Sequence, residues 1–357
     1  MKIRADIVPA IDRGGLPEVR RFLQAAIELE HATIPAYQTA LYSIKPGTNA
    51  EAAAIVASVA REEMLHLAIA ANVLNAIGGA PVLDKPGFIP VFPGPLPLGI
   101  GDLTVHLTKL TRGQVFDTFM AIEQPETRLA LPVKEARLAP LLALHAAPPA
   151  PAPDFATIGQ FYQAIMRKLR ELGDGVFAHP SSPQVVDARW YPEDELFAVT
   201  DVASAVAALT VIVDEGEGTT RSPLETPHGR PAHYYRFAEL VYARRLVVDA
   251  TAPAGFAYAG AAVPLDPAGV WNLLADAKSV DYAPGSEARR LSDRFNYSYT
   301  TLLRTLHATF NGAPEQLDRA IPLMFEQKLL GGTLASTAIA GTDLTAAPTF
   351  EYTPLPV

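Results

Sequence analysis

Residues 61–66 read Arg61-Glu-Glu-Met-Leu-His66, and this stretch decides how the rest of the chain is interpreted. Glu63 and His66 lie three positions apart, so on a helix a carboxylate and an imidazole share one face and can reach the same metal ion. The stripe that contains them recurs at helical spacing and is otherwise apolar, with Val56, Val59, Ala70, Val73 and Ile77 as its other members. Both polar groups are therefore predicted to point toward the core.

A neighbouring helical stripe, in residues 17–43, carries Glu30 at an equivalent inward position. Its other members are Leu23, Ile27, Ile34, Tyr37 and Leu41. Lys45-Pro-Gly ends this helix, and the next one is predicted from Asn49, a suitable N-cap, to Ile77, where two glycines stop it. Two long helices joined by a short loop pack antiparallel, which indicates a helical bundle.

Helical patterns dominate the rest of the sequence, and the fold class is predicted to be all-α, with extra C-terminal helices and long proline-rich loops. Further helices are predicted at about 112–123, 157–172 (with Thr157 near its cap), 200–216, 233–243, 267–275, 288–311 and 314–332. Loops are expected at 80–103 and in the Pro/Ala-rich residues 138–153, and a short strand or extended segment at 245–249. We expect a metal-binding bundle in residues 1–250, with residues 251–357 packed on the same domain.

The composition narrows the chemistry. No cysteine is present, so disulfides, thiolate zinc sites, iron–sulfur clusters and a cysteine nucleophile are excluded, and any metal must be bound by carboxylate, imidazole or backbone oxygen. The net charge of −9 disfavours nucleic acid and anionic membranes as partners. The N-terminus lacks the apolar run of a signal peptide and no segment is long and apolar enough to span a bilayer, so a cytoplasmic protein is expected.

An ionised carboxylate inside a core costs many kcal/mol unless it is paired or bound to a metal. Glu30, Glu63 and His66 therefore predict one half of a metal site, although a buried Glu–His ion pair is the structural alternative. For a second half, Glu123 shares a face with two phenylalanines, and Glu217 lies between two glycines at a helix end. His233 is the candidate histidine for that half. Each of these three could equally be an ordinary cap, loop or core residue, and Glu62 is expected to be solvated or to support a ligand.

Several blocks of the sequence resemble the ferritin-like family related to iminophenyl-pyruvate dimer synthases, which includes the imine-coupling enzymes of violacein- and rebeccamycin-type pathways. The blocks are residues 28–44 (Glu28-Leu-Glu-His-Ala-Thr-Ile-Pro), 61–66, 119–126, 216–219, 233–237, 270–273, 295–303 and 310–312. The resemblance implies a ferritin-like core with metal ligands at Glu30, Glu63, His66, Glu123, Glu217 and His233. The family usually reads Gln-Gly-Glu-Gly before its loop, and here Glu215 stands in place of the glutamine.

The leading functional hypothesis is a non-haem di-iron oxidoreductase acting on a small organic substrate such as an amino-acid-derived imine, with manganese or zinc as other options for the metal. No catalytic residue is assigned. A ferritin-like protein that binds metal without turnover is the alternative, and a partner protein that keeps only the scaffold is a third. A ferritin-type cage is not expected from a chain of this size. A homodimer is a possible assembly.

Overall fold

The computed structural model of the protein describes residues 2–99, 103–126, 128–129, 131–133, 155–177, 183–217, 222–224 and 228–354. The predicted Pro/Ala-rich loop at 138–153 lies outside them. The helices and strands that build the fold are β1 (Lys2–Arg4), α1 (Ile7–Arg13), α2 (Leu16–Tyr42), α3 (Ala50–Ala76), α4 (the consecutive segments Arg112–Gln114, Val115–Phe119 and Met120–Ile122), β2 (Phe155–Thr157), α5 (Ile158–Leu172), α6 (Val202–Glu217), α7 (His233–Tyr242), β3 (Arg244–Val248), β4 (Phe256–Ala262), α8 (Glu287–Phe310) and α9 (Leu317–Ser336). The prediction of a helical bundle is confirmed.

The α2–α3 hairpin is the centre of the fold, and its helix limits lie within one residue of those predicted. Pro17 occupies the first turn of α2, where its missing N–H costs nothing, and the Glu18 carboxylate accepts the Gly15 N–H at 3.0 Å. After α3, Gly78 has a φ of 73°, a left-handed conformation that glycine adopts without strain and that ends the helix. The two helices pack along their lengths.

Asn49 precedes α3 as predicted, but its side chain does not cap the helix. Its amide instead donates to the Asp266 carbonyl at 3.0 Å and accepts the Asp266 N–H at 2.7 Å. The tertiary partner therefore replaces the local cap, and the hairpin loop is tied to a segment more than 200 residues away in sequence.

Helices α4 to α7 cover one face of the hairpin. α5 packs against α2 and α6, and α7 contacts α3, α4 and α6. The predicted cap of α5 is confirmed, because the Thr157 hydroxyl accepts the Gln160 N–H and the Gln160 side chain accepts the Thr157 N–H. The middle of α4, Val115–Phe119, is a π-helical turn, a local widening that changes the direction of the side chains that follow it.

Helices α8 and α9 pack on each other and lie against the same hairpin, α8 on α3 and α9 on α2. The predicted helix at 267–275 is wrong, since only Pro267–Gly269 forms a single 3-10 turn. The following backbone is extended because it bonds to other segments: the Trp271 N–H donates to the Ser43 carbonyl at 2.7 Å, and Leu274 N–H donates to Thr345.

Two small antiparallel ladders complete the described part of the chain. β1 pairs with β2, with Lys2 opposite Thr157, and β3 pairs with β4, with Leu246 opposite Tyr258. β3 confirms the short strand that was one of the two options for 245–249. Among the described helices, none combines the length and the apolar character that a bilayer crossing requires.

The packing of α9 on the hairpin can be tested at two adjacent glycines. A Cβ on Gly331 would lie 2.3 Å from the Tyr42 ring, whereas one on Gly332 would meet nothing within 4 Å. We expect Gly331→Ala to lower the free energy of unfolding by about 1–3 kcal/mol through overpacking. Gly332→Ala, the matched control, should raise it by roughly 0.5–1 kcal/mol through helix propensity. Urea denaturation measures both, and equal effects would contradict the close contact between α9 and α2.

Candidate metal centre

The first cluster joins the two helices of the hairpin. Glu30 on α2 and Glu63 and His66 on α3 are all buried, and each offers one ligand atom within 4.8 Å of the others. The His66 Nδ1 atom lies 3.6 Å from Glu30 Oε2 and 3.9 Å from Glu63 Oε1. The three residues predicted to form one half-site are therefore brought together, on the helical faces that the sequence pattern indicated.

The second cluster shares Glu63 with the first. Glu63, Glu123 and His233 again place one ligand atom each within 4.8 Å of one another. The His233 Nδ1 atom lies 3.0 Å from Glu63 Oε1 and 3.4 Å from Glu123 Oε2. Glu123 follows the last turn of α4, downstream of the π-helical turn, and His233 is the first residue of α7. A single carboxylate thus lies between the two clusters, and the two imidazole rings stack at a centroid distance of 5.4 Å.

Each histidine is oriented by a carboxylate on its outer side. His66 Nε2 donates to Glu215 Oε2 at 2.9 Å, and His233 Nε2 donates to Glu62 Oε2 at 2.9 Å. When Nε2 carries the proton, the lone pair of Nδ1 is free to face the shared glutamate. A carboxylate that accepts the outer N–H of a histidine fixes its tautomer and increases its basicity as a metal ligand.

Two arginines balance these outer carboxylates. Arg236 donates to both oxygens of Glu62, at 3.0 and 2.8 Å. The Arg230 guanidinium lies 3.3 Å from Glu62 and 3.5 Å from Glu215, so one cation contacts the outer partner of both histidines. Buried carboxylates of this kind need such partners, because desolvation disfavours their charge.

Hydroxyl groups hold the inner carboxylates. The Tyr162 hydroxyl on α5 donates to Glu30, and the Tyr37 hydroxyl on α2 donates to Glu123. The Thr33 hydroxyl donates to Glu63 Oε2 at 2.8 Å. Each inner glutamate therefore has one oxygen fixed by a hydroxyl while its other oxygen lies near a histidine Nδ1 atom.

The pKa shifts follow from burial and from the mutual charges. Burial and the adjacent carboxylate of Glu123 raise the pKa of Glu63 to about 7. Burial alone would lower the pKa of His66, but its hydrogen bonds to Glu215 and Glu30 raise it to about 10. Burial opposes the ionisation of Glu62, yet His233 and Arg236 hold its pKa well below the usual range. Without a cation, the cluster keeps protons on its histidines.

The donor set fits a transition metal. Bonds of about 2.0–2.2 Å from one ion place neighbouring ligand atoms roughly 3–4 Å apart, which is the separation of each histidine Nδ1 atom from its two carboxylates in both clusters. The His233 Nδ1 atom is fully buried and has no hydrogen bond of acceptable geometry among the described residues. A bond to a metal ion would give this atom a partner. A cavity of about 30 Å³, lined by Glu30, Glu63, His66 and Glu123 together with apolar side chains, adjoins both clusters.

Five of the six predicted ligands, Glu30, Glu63, His66, Glu123 and His233, lie together. The sixth, Glu217, is the last residue of α6, and its side chain lies outside what the structure describes. Glu215, two residues earlier on α6, bonds to His66.

Sequence reasoning assigned no role in the site to Tyr162, Thr33, Arg230 or Arg236, and it left Glu62 as a solvated or supporting group. Glu62 is in fact buried and bonded to His233. The one available signal was the placement of Glu62 beside the inward stripe of α3. Arg230 and Arg236 lie far from α3 in sequence, and no spacing relates them to Glu62.

The fold and the cluster can be compared with known proteins. The sequence model of a family described as ferritin-like matches residues 23–242, the part of the chain that contains all five clustered ligands. Dichlorochromopyrrolate synthase from Lentzea aerocolonigenes is 28% identical over 293 residues, which cover 74% of this chain and 26% of that protein. The chain thus spans about a quarter of the length of this curated relative.

A crystal structure of a ferritin-like protein from Caulobacter vibrioides superposes with a TM-score of 0.60 at 22% sequence identity, over 95% of this chain and 99% of that one. This likeness shows the fold. The predicted ferritin-like fold class and the resemblance to the imine-coupling enzymes are both confirmed by these comparisons.

Removing an outer carboxylate should weaken metal binding. We expect Glu62→Ala and Glu215→Ala each to lower the affinity for Fe²⁺ or Zn²⁺ by about 10- to 100-fold, because the histidines lose the group that fixes their tautomer. Glu215→Gln should have a smaller effect, since the amide oxygen still accepts the His66 N–H. Competition with a chelator measures the affinities. Glu315→Ala, at an exposed position, is the control, and wild-type affinity in both alanine variants would contradict the assignment.

The metal-free protein should become less stable as the pH rises from about 7 to 10. The folded-state pKa of His66, about 10, lies above its unfolded value of 6.5, so folding favours the protonated form. That contribution is complete below pH 6.5 and is lost as the pH rises through 10. Thermal unfolding followed by circular dichroism measures the loss. The metal-loaded protein should not show it, because a bound imidazole is already unprotonated at Nδ1.

Proposed function

This chain belongs to the ferritin-like family, and on that premise we propose that it is a non-haem di-iron oxidoreductase acting on a small organic substrate. The observation that carries the proposal is the position of Glu63 between two buried sets of ligands. One set adds Glu30 and His66, and the other adds Glu123 and His233. Di-metal carboxylate sites in helical bundles are built from inward-facing glutamates of several helices together with one histidine from each of two of them.

The donor types favour iron over softer metals. Carboxylate oxygens and imidazole nitrogens suit iron, and they accept manganese and zinc as well. The chain has no cysteine that would select a thiophilic metal. A bound iron pair would supply redox chemistry that the carboxylate and imidazole groups of the clusters do not provide themselves.

The contribution of the protein is to orient the ligands and to keep water out. Glu62 and Glu215 hold the Nε2 protons of His233 and His66, so both Nδ1 lone pairs stay directed inward. Tyr37 and Tyr162 hold one oxygen of each terminal glutamate. Apolar residues of α4, α5 and α6, among them Ile122, Ile158 and Ile212, line the adjoining cavity of about 30 Å³.

The substrate class is proposed from the relatives. The similarity to dichlorochromopyrrolate synthase, together with the resemblance to imine-coupling enzymes, supports an amino-acid-derived imine. Because the chain spans about a quarter of that synthase, the proposal is restricted to the chemistry of the ferritin-like core.

Metal binding without turnover is the second candidate, and one observation favours it. The cavity beside the ligands measures about 30 Å³, enough for one or two water-sized molecules and too small for an organic substrate. In this second candidate the same ligands bind the metal and no organic substrate reaches it.

Metal content and oxygen consumption test the two candidates together. We expect protein purified without chelator to contain nearly two transition-metal ions per chain. Glu63→Ala should lose both, because Glu63 belongs to both clusters, whereas Glu123→Ala should lose one. Elemental analysis measures the content. Iron-loaded wild type should consume oxygen faster when amino-acid-derived imines are added, and Glu63→Ala should not.

The outcomes separate the candidates. Two metal ions with no substrate-dependent oxygen consumption would favour binding without turnover. Equal metal content in the wild type and in Glu63→Ala would remove Glu63 from the site and with it the proposed function. Glu315→Ala is the matched control for both measurements.

A further inference from the structure

The cavity beside the candidate metal centre is lined by residues of two kinds. Glu30, Glu63, His66 and Glu123 are ligand candidates. The other described lining residues, which we call the apolar wall, are Leu29, Ile122, Ile158, Gly159, Ile212, Val213 and Gly216. Apart from Leu29 on α2, they come from the last residue of α4, the first two residues of α5 and the last turns of α6. The ends of three helices therefore form most of the apolar wall.

Three residues of the apolar wall also have exposed surface. Ile158, Val213 and Gly216 are partly exposed. The four ligand candidates are buried, and so are the neighbouring Ile122 and Ile212. Ile158 is the first residue of α5, and Gly216 is the last but one of α6. Residues that line a cavity and are themselves partly exposed mark where it approaches the surface. The described lining therefore approaches the surface between the start of α5 and the end of α6.

Gly216 has no evident structural reason to be a glycine. A Cβ built on it would meet nothing within 4 Å among the described residues, so packing does not exclude a side chain. Its φ is not in the left-handed region that favours glycine, and within a helix alanine is the more favourable residue. What the glycine provides is open space in the wall of the cavity. A side chain at this position would occupy that space.

We propose that the route from solvent to the metal ligands passes between the start of α5 and the end of α6, and that Gly216 and Val213 set the size of the molecule that passes. The cavity behind them, of about 30 Å³, holds one or two water-sized molecules. A small linear molecule therefore fits beside the ligands, and a larger organic molecule reaches them only with a narrow end. The inference rests on the proposed function in one respect, that metal ions occupy the clusters, and it does not require turnover.

The rate at which azide reaches a bound metal tests the role of Gly216. Carboxylate and imidazole ligands also bind Co²⁺, whose visible absorption changes when azide coordinates. In Co²⁺-loaded protein, we expect Gly216→Leu to slow azide association at least about tenfold, because the added side chain narrows the passage. A narrower passage slows entry and exit together, so the affinity for azide should change much less than the rate. Stopped-flow absorbance measures both rates.

Ala207→Leu is the matched control for this variant. Ala207 lies on the same helix at an exposed position outside the lining, and its replacement adds bulk to α6 without approaching the cavity. This control should bind azide at the wild-type rate. Elemental analysis should find the same cobalt content in both variants as in the wild type, because neither position supplies a ligand.

A second variant should act in the opposite direction. Val213→Ala removes two methyl groups from the same wall, so we expect it to speed azide association by about twofold or more. Imidazole is wider than azide, and its association rate should rise by a larger factor. Val211→Ala, with the same change at a partly buried position of α6 outside the lining, is the control and should leave both rates unchanged.

The outcomes separate this inference from the proposed function. Cobalt-loaded variants that all bind azide at the wild-type rate would overturn the inference alone, since the ions would then be reached by another route. Equal changes in a variant and its matched control would overturn it as well, because the effect would not come from the passage. A wild type that binds no cobalt would contradict the proposed function and this inference with it.

Discussion

The burial of several ionisable groups at one place in a helical core is the constraint on which the rest of this structure depends. Glu30, Glu63 and Glu123 outnumber the two histidines between them, so the inner cluster retains negative charge even when both imidazoles are protonated. Desolvation makes that charge costly, and hydroxyl donors reduce the cost only in part. A pair of bound divalent cations would cancel the negative charge of the three glutamates. Helices α5, α6 and α7 and the residue that follows α4 each supply a group to the cluster or to its support.

The groups behind the two histidines are also buried charges that need partners of opposite sign. Glu62 and Glu215 add negative charge behind the histidines, and Arg230 and Arg236 balance it. Glu215 gives His66 a charged acceptor, which makes the imidazole a stronger ligand. Arg230 contacts both outer carboxylates, and it therefore links the two half-sites electrostatically.

The α2–α3 hairpin separates two environments with adjacent residues of the same helices. Glu30 faces the carboxylate–histidine cluster, while His31 bonds to Tyr299 of α8. Glu63 lies between the half-sites, while Met64 lines a largely apolar cavity of about 450 Å³ between the hairpin and helices α8 and α9. Consecutive residues on a helix point about 100° apart, so one pair of helices can serve a polar centre on one face and an apolar cavity on another.

The sequence by itself determined the hairpin and its inward polar groups. Period-3.6 apolar stripes and the residues that end them gave the limits of α2 and α3 within a residue, and the placement of Glu30, Glu63 and His66 on those stripes predicted that they face the core. Glu123 was a candidate because it shares a helical face with two phenylalanines, and His233 was a candidate because the second half-site needed a histidine from elsewhere in the sequence. Local periodicity carries this information because it depends only on residues a few positions apart.

Only the tertiary structure decided which distant side chains complete the site. The hydroxyl of Tyr162, the guanidinium of Arg230 and the carboxylate of Glu215 come from segments far from α3 in sequence, and no spacing rule relates them to it. The same holds for Asn49, whose amide bonds to Asp266 instead of capping α3, and for residues 270–274, where bonds to Ser43 and Thr345 replace the predicted helix. Contacts between distant segments depend on how the helices pack as a whole, and local patterns do not contain that information.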